Sequence, residues 1–314
     1  MIKKAFLAAL IFAAIQLQPG LLYSQNTYEF LRVDMNARAA ALAGSFVANG
    51  DDANVIFYNP AGANMLEDMP ASFSYLNYFL DINSASFAIS NDFGIGRFSA
   101  GLIYFDFGDF TRSDESAANL GEFGAQDLAF VLGYGNSMGE NFYYGANAKF
   151  IYSGIDDYSS TGLAFDLGLM YVFPETQWNI GFSALNLGSQ IDTYSGRKED
   201  LPLDMRLGFS KRLERTPFML FFSFNRLNEN EDNFIKHFQY FTGGAEILLG
   251  KSFKLRFGYD NMKRKDMKIG GSAGLAGISG GVGIKIKDYN VDYGYSSWGM
   301  IGGLHRFSIS TVFH

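Results

Sequence analysis

The sequence predicts an all-β fold: a 14-stranded antiparallel transmembrane β-barrel with an N-terminal plug (hatch) segment. Three observations predict it. Apolar and polar residues alternate with period two over segments near ten residues, again and again along the chain. Glycine and aromatics are abundant together, 36 Gly beside 32 Phe and 18 Tyr in 314 residues, with only six Pro. Connections between the segments alternate short and long. Strands of a soluble sandwich average about five or six residues and turn a charged face to water. Here the strands are about twice that length, and the face opposite the apolar one is small and glycine-rich. That pattern suits lipid outside and a filled lumen inside.

Residues 1–24 read as a signal peptide. Lys3 and Lys4 precede an apolar stretch over 5–17, and Leu22-Tyr23-Ser24 offers a cleavage site. The stretch is too short for a bilayer, which needs about 20 residues.

Residues 25–69 read as the plug. The small residues of 35–44 predict a short helix closed by Gly44. The run Asp51-Asp52-Ala53-Asn54 leads on to Asn59-Pro60-Ala61-Gly62, where Asn-Pro fixes a turn. Such a compact insert of small residues suits the inside of a lumen.

Residues 70–314 read as the barrel, with strands over 70–80, 83–91, 96–107, 125–135, 141–153, 161–173, 177–187, 202–211, 218–227, 235–249, 253–260, 272–286, 289–295 and 304–313. The count is even, as bacterial barrels require, and places both termini on the periplasmic side. Tight turns at 91–94, 136–139, 174–176 and 250–252 alternate with polar loops 108–124, 188–201 and 261–270. By alternation Asp127, Asp166, Asp204, Glu246 and Asp292 point inward with Lys149, Arg206, Lys254, Arg256 and Lys285, a balanced set that predicts pairing inside a closed lumen. Leu167 and Gly168 fall on opposite faces. A serine in place of Gly168, on the lumen side, is expected to cost much less than an arginine in place of Leu167.

Composition narrows the chemistry. With no Cys, disulfide frameworks, zinc ribbons and thiol catalysis are excluded. His237, His305 and His314 lack the spacing of a metal pair, and no Gly-x-Ser-x-Gly occurs. The cluster Gly280-Gly281-Val282-Gly283 lies on a strand pattern with no helix after it, which argues against a nucleotide fingerprint. A net charge of −7 and a pI near 5.0 lack the basic face of a nucleic-acid binder. The expectation is a non-enzymatic protein with no cofactor and no catalytic, cofactor-binding or metal residues. Its surroundings are outer-membrane lipids, not nucleic acid.

The segment Asp51, Asp52, Asn59, Pro60, Ala61 and Gly62 resembles the N-terminal hatch of the FadL-like outer-membrane family. A closer resemblance runs along the chain. Tyr28-Glu29-Phe30-Leu31, the stretch 74–83, Phe110-Thr111-Arg112-Ser113-Asp114-Glu115 and Arg197-Lys198-Glu199-Asp200-Leu201-Pro202 are similar to the PorV/PorQ family of the type IX secretion system, its PorQ branch above all. That resemblance implies a barrel subunit of a cell-surface attachment complex, holding a PorZ-like exterior partner, with PorU and PorV as further associates. The competing expectation is a FadL-like conduit for hydrophobic small molecules. A conduit requires an apolar pocket beside the plug; polar outer loops favour the scaffold. Candidate docking residues on those loops are Asp114, Glu115, Arg197, Lys198, Lys263, Arg264 and Lys265.

A first prediction follows from the strands alone. The protein should fractionate with outer membranes and change gel mobility on boiling, because closed barrels resist detergent. Recovery as a soluble protein with no such shift contradicts the barrel.

Overall fold

Alternation gives each strand one apolar and one polar face, and closing the sheet turns these faces into an outside and an inside. The computed structural model describes residues 26–313 apart from 81, 114–115, 117–118, 230–233 and 269–271; the signal-peptide expectation lies outside them. Fourteen strands follow in order: β1 (Met69–Asn77), β2 (Asn83–Asp92), β3 (Arg97–Ser113), β4 (Asn119–Ser137), β5 (Phe142–Ile155), β6 (Tyr158–Phe173), β7 (Trp178–Asp192), β8 (Asp204–Arg212), β9 (Phe218–Phe224), β10 (Phe241–Leu249), β11 (Phe253–Asp260), β12 (Ile278–Ile286), β13 (Tyr289–Ser297) and β14 (Gly303–Phe313). Each pairs antiparallel with its chain neighbours, and β1 pairs with β14 to close the barrel. Met69 lies opposite Phe313, so the barrel starts and ends at one rim. That rim carries the short turns, where Gly94, Gly139 and Gly250 take the positive φ of 78°, 78° and 70° that a tight reversal needs.

Outward positions are large and apolar. Leu132, Phe165, Leu167, Phe257 and Phe307 are 53–56% exposed, whereas Asp166 between two of them is 0% exposed. So much apolar surface turned outward all round a closed sheet has a physical cause only if hydrocarbon surrounds it.

The structure departs from the expected spans at the long-loop rim. Most of loop 108–124 is not a loop: β3 and β4 continue into it as a two-stranded ribbon. The ribbon stands free because β2 pairing stops at Asp106 and β5 pairing stops at Ala125. Within it Phe110 stacks on Phe123 at 5.4 Å, and an Arg112–Asp156 ion pair ties it to the turn between β5 and β6. β10 starts later than expected because a helical turn occupies Phe234–His237. β12 starts at Ile278, since Gly274 and Gly277 hold left-handed backbone just before it. Loop 261–270 contains a short helix, Asn261–Asp266, whose first turn is capped by Asp260 accepting from Lys263 N at 2.9 Å.

The outward position of Leu167 yields a quantitative test. Leu167→Arg should destabilise the inserted barrel by about 2–4 kcal/mol if the site lies at the lipid midplane. Denaturant titration in vesicles measures it, and a change below about 0.5 kcal/mol contradicts the facing.

Candidate functional site

The lumen is occupied by the chain's own N-terminal segment. Residues 35–50 are almost entirely buried, as are most of 53–63, although none belongs to a strand. A helix over Ala37–Ala41 starts at Asn36, whose side chain accepts from Ala39 N at 3.0 Å. It ends through Gly44, at φ 72°, whose N–H returns to Ala39 O at 2.9 Å.

What lets the segment lie so close is a belt of inward glycines. Gly145, Gly168, Gly181, Gly208, Gly244, Gly258, Gly281 and Gly294, on eight strands, each face it directly. A Cβ on Gly145 would stand 2.5 Å from the Pro60 carbonyl carbon, one on Gly258 2.5 Å from Ala43 N, and one on Gly281 2.6 Å from Ala41 Cβ. Glycine inside a strand costs roughly 0.5–1 kcal/mol against alanine. Eight in one belt need a cause, and backbone-to-wall contact supplies it. The belt also corrects the expectation for Gly168: a Cβ there drives into the Asn59 side chain and Pro60, so serine is not tolerated cheaply.

Polar contacts fix the seat. Asn59 accepts from Ala61 N at 3.1 Å and donates to Val47 O at 2.8 Å and Leu169 O at 3.1 Å, joining two passes of the segment to β6. Asp52 caps the next turn by accepting from Asn54 N at 2.9 Å. Arg38, 3% exposed, pairs with Glu246 at 3.0 Å and Asp51 at 2.7 Å. Burial alone would raise the Asp51 carboxyl, about half of which still reaches the mouth; Arg38 overrides this and holds it down to about 2. Glu246 in turn meets Arg256 at 2.7 Å, and Arg256 meets Asp292 at 2.5 Å. Losing one of the buried members, Arg38, Glu246, Arg256 or Asp292, costs about 3–5 kcal/mol. Lys149–Asp166 at 2.9 Å and Arg206–Asp204 at 2.6 Å complete the pairing foreseen from alternation; Asp127, Lys254 and Lys285 stay outside it.

Toward the long-loop rim the segment leaves a cavity of ≈ 500 Å³ that opens outward. Its floor includes Asp34, Ala43 and Gly44. One wall is aromatic: Phe30 meets Phe105 at 5.7 Å, Phe105 meets Phe107 at 6.0 Å, and Tyr78 meets Trp298 at 6.3 Å. The other carries Asp204, Arg206, Arg226, Asp260 and Lys263. A cavity of this size with convergent polar groups falls within the range of small-molecule sites, about 300–1,000 Å³.

The sequence-predicted residues divide accordingly. Asp51, Asp52, Asn59, Pro60, Ala61 and Gly62 come together in the lumen. Asp114 and Glu115 lie outside the described residues. Arg197 and Lys198 are exposed on the β7–β8 connection. Lys263 turns to the vestibule edge over the Trp298 ring at 5.3 Å, Arg264 donates to Gly274 O at 3.2 Å, and Lys265 donates to Gln239 at 2.6 Å. Sequence reasoning missed Arg38 and the vestibule. A lone arginine in an alanine run was the available sign, since a buried guanidinium needs carboxylates.

No family model matches the chain, and no curated protein matches it. Solved structures do. The toluene transporter TbuX of Ralstonia pickettii superposes with a TM-score of 0.60 at 12% identity, covering 89% of this chain and 98% of that one. A FadL homologue of Pseudomonas aeruginosa gives 0.58 at 11%, covering 90% and 99%. The toluene transporter TodX of P. putida gives 0.59 at 10%, covering 89% and 98%. The fold is that of FadL-type outer-membrane barrels. At these identities the likeness is one of fold.

Two glycines on neighbouring strands test the seat. Gly294 faces the segment, where a Cβ would meet the Ala37 backbone, whereas a Cβ on Gly280 meets nothing nearer than 3.5 Å. Gly294→Val should dislodge the helix, raising single-channel conductance and exposing residues 35–66 to protease, while Gly280→Val does neither. Equal behaviour of the pair contradicts the belt.

Proposed function

We propose that the protein is an outer-membrane barrel that takes up hydrophobic or amphipathic small molecules from the cell exterior, with the long-loop rim outside and both termini in the periplasm. The observation that carries this reading is the vestibule: an aromatic-walled cavity, open above and floored by the luminal segment. This is the pocket that a conduit requires and a pure scaffold does not. The FadL-type fold supports it, since neighbours of that fold are a toluene transporter and a monoaromatic hydrocarbon channel. The polar loops, which favoured the scaffold, weigh less once such a pocket lies beneath them.

The type IX secretion reading is a second proposal. It draws on the PorV/PorQ-like blocks and on exposed apolar residues of the long-loop rim: Leu80 at 90%, Met300 at 76% and Leu275 at 63%. In that role the rim would hold a PorZ-like partner, with PorU and PorV in the same assembly.

Uptake separates the two. Cells carrying the barrel should accumulate a labelled monoaromatic compound several-fold faster than cells lacking it, and Phe105→Glu should abolish the gain. Unchanged uptake, together with recovery of secretion components after cross-linking in native membranes, favours the scaffold.

A further inference from the structure

The vestibule is uneven in charge. Arg32 is committed to Glu29 at 3.0 Å, Arg206 to Asp204 at 2.6 Å, and Lys263 lies 3.7 Å from Asp260. Arg306 donates to Asp34 O at 2.5 Å and Ser296 at 2.8 Å. Arg226 follows β9, far around the wall from β4.

Asp127 is a carboxylate without such a partner. It lies on β4 and borders the cavity; its Oδ1 accepts from Ser153, which accepts from Tyr194. Among the described residues no lysine or arginine nitrogen comes within 4.0 Å of it, and its Oδ2 receives no hydrogen bond. Rings gather on the same side. Phe105 is its direct cross-strand partner, Phe30 and Phe107 lie 5.7 and 6.0 Å from Phe105, and Tyr28 reaches Ser160, the cross-strand partner of Ser153, at 2.5 Å.

A carboxylate lacking a counter-ion favours positive charge, and ring faces add their quadrupole. One carboxylate among rings does not supply the six or more oxygens of a calcium site, so the cation is organic. A neutral hydrocarbon would cover Asp127 and leave it desolvated and unpaired. An anion would be repelled. We infer that the vestibule takes organic cations, with an ammonium group against Asp127 Oδ2 and an apolar body along the partly open rings of Phe107 and Tyr78. This rests on the reading of the vestibule as a small-molecule site.

The test uses the full chain in detergent micelles, with barrel-free micelles as the blank. Equilibrium dialysis compares benzyltrimethylammonium with its neutral isostere neopentylbenzene and with phenylacetate. The cation should bind about tenfold tighter than either of the others. Asp127→Asn should remove that advantage and leave neopentylbenzene unchanged. Phe107→Leu, which keeps the charge, should weaken the cation several-fold, and it carries the test if Asp127→Asn fails to give a heat-modifiable barrel. Equal binding of cation and isostere, preference for phenylacetate, or an Asp127→Asn chain that keeps the advantage overturns the inference while the small-molecule reading stands. Binding of none of the three overturns both.

Discussion

The rest of the molecule depends on one constraint: a segment without strands must lie against the inner wall of a closed sheet with no side-chain gap between them. Only glycine lets the backbone of a wall approach another backbone this closely, and where the segment comes nearest the wall the inward residue is glycine on eight strands. The seat extends from β5 round to β13 and follows the path of the segment, not the height of a turn or bend. Packing of this kind has two consequences. The segment is held by shape as well as by hydrogen bonds, and most of its residues from 35 to 63 are buried against the wall.

Electrostatics adds to that geometry. The charges in the short-turn half of the lumen are paired in chains such as Asp51–Arg38–Glu246–Arg256–Asp292, in which each charge has an opposite charge at contact distance. Such sets specify position more than they add stability, because desolvation offsets most of the attraction. Arg38 therefore acts as a locating pin between the helix and β10. Toward the other rim the pairing becomes incomplete, and there the lumen widens into the vestibule. One barrel thus has a filled half whose charges are paired and an open, aromatic half whose charges are incompletely paired.

The barrel was legible in the sequence because strand alternation is a local signal with a fixed period. Leu163, Phe165, Leu167 and Leu169 declare their face without knowledge of any neighbour. The Asp-Asp and Asn-Pro motifs were legible too, since Asx caps and turns bond within a few residues. The glycine belt was legible only as an excess. Which glycines face the segment depends on where residues 35–66 run through the lumen, and no periodicity carries that path. Gly168 shows the gap: alternation placed it inward, yet its neighbour Asn59 comes from more than a hundred residues away. The vestibule was hidden for the same reason, being built from Phe30, Phe105 and Trp298, which only barrel closure brings together. At the rim, strand pairing continues into 108–124 without alternation to announce it, because two strands can pair without a third.

The seating of the segment can be measured directly, because the chain has no native cysteine. Ser45 Oγ and Thr242 Oγ1 are 2.8 Å apart, one on the segment and one on β10, and both are buried. A chain carrying Ser45→Cys and Thr242→Cys should cross-link on mild oxidation in the membrane, keep its heat-modifiable mobility, and protect both thiols from a bulky maleimide when reduced. Free thiols that react readily with the maleimide and fail to cross-link would show a segment lying outside the wall, and the account built on its seat would fail with it.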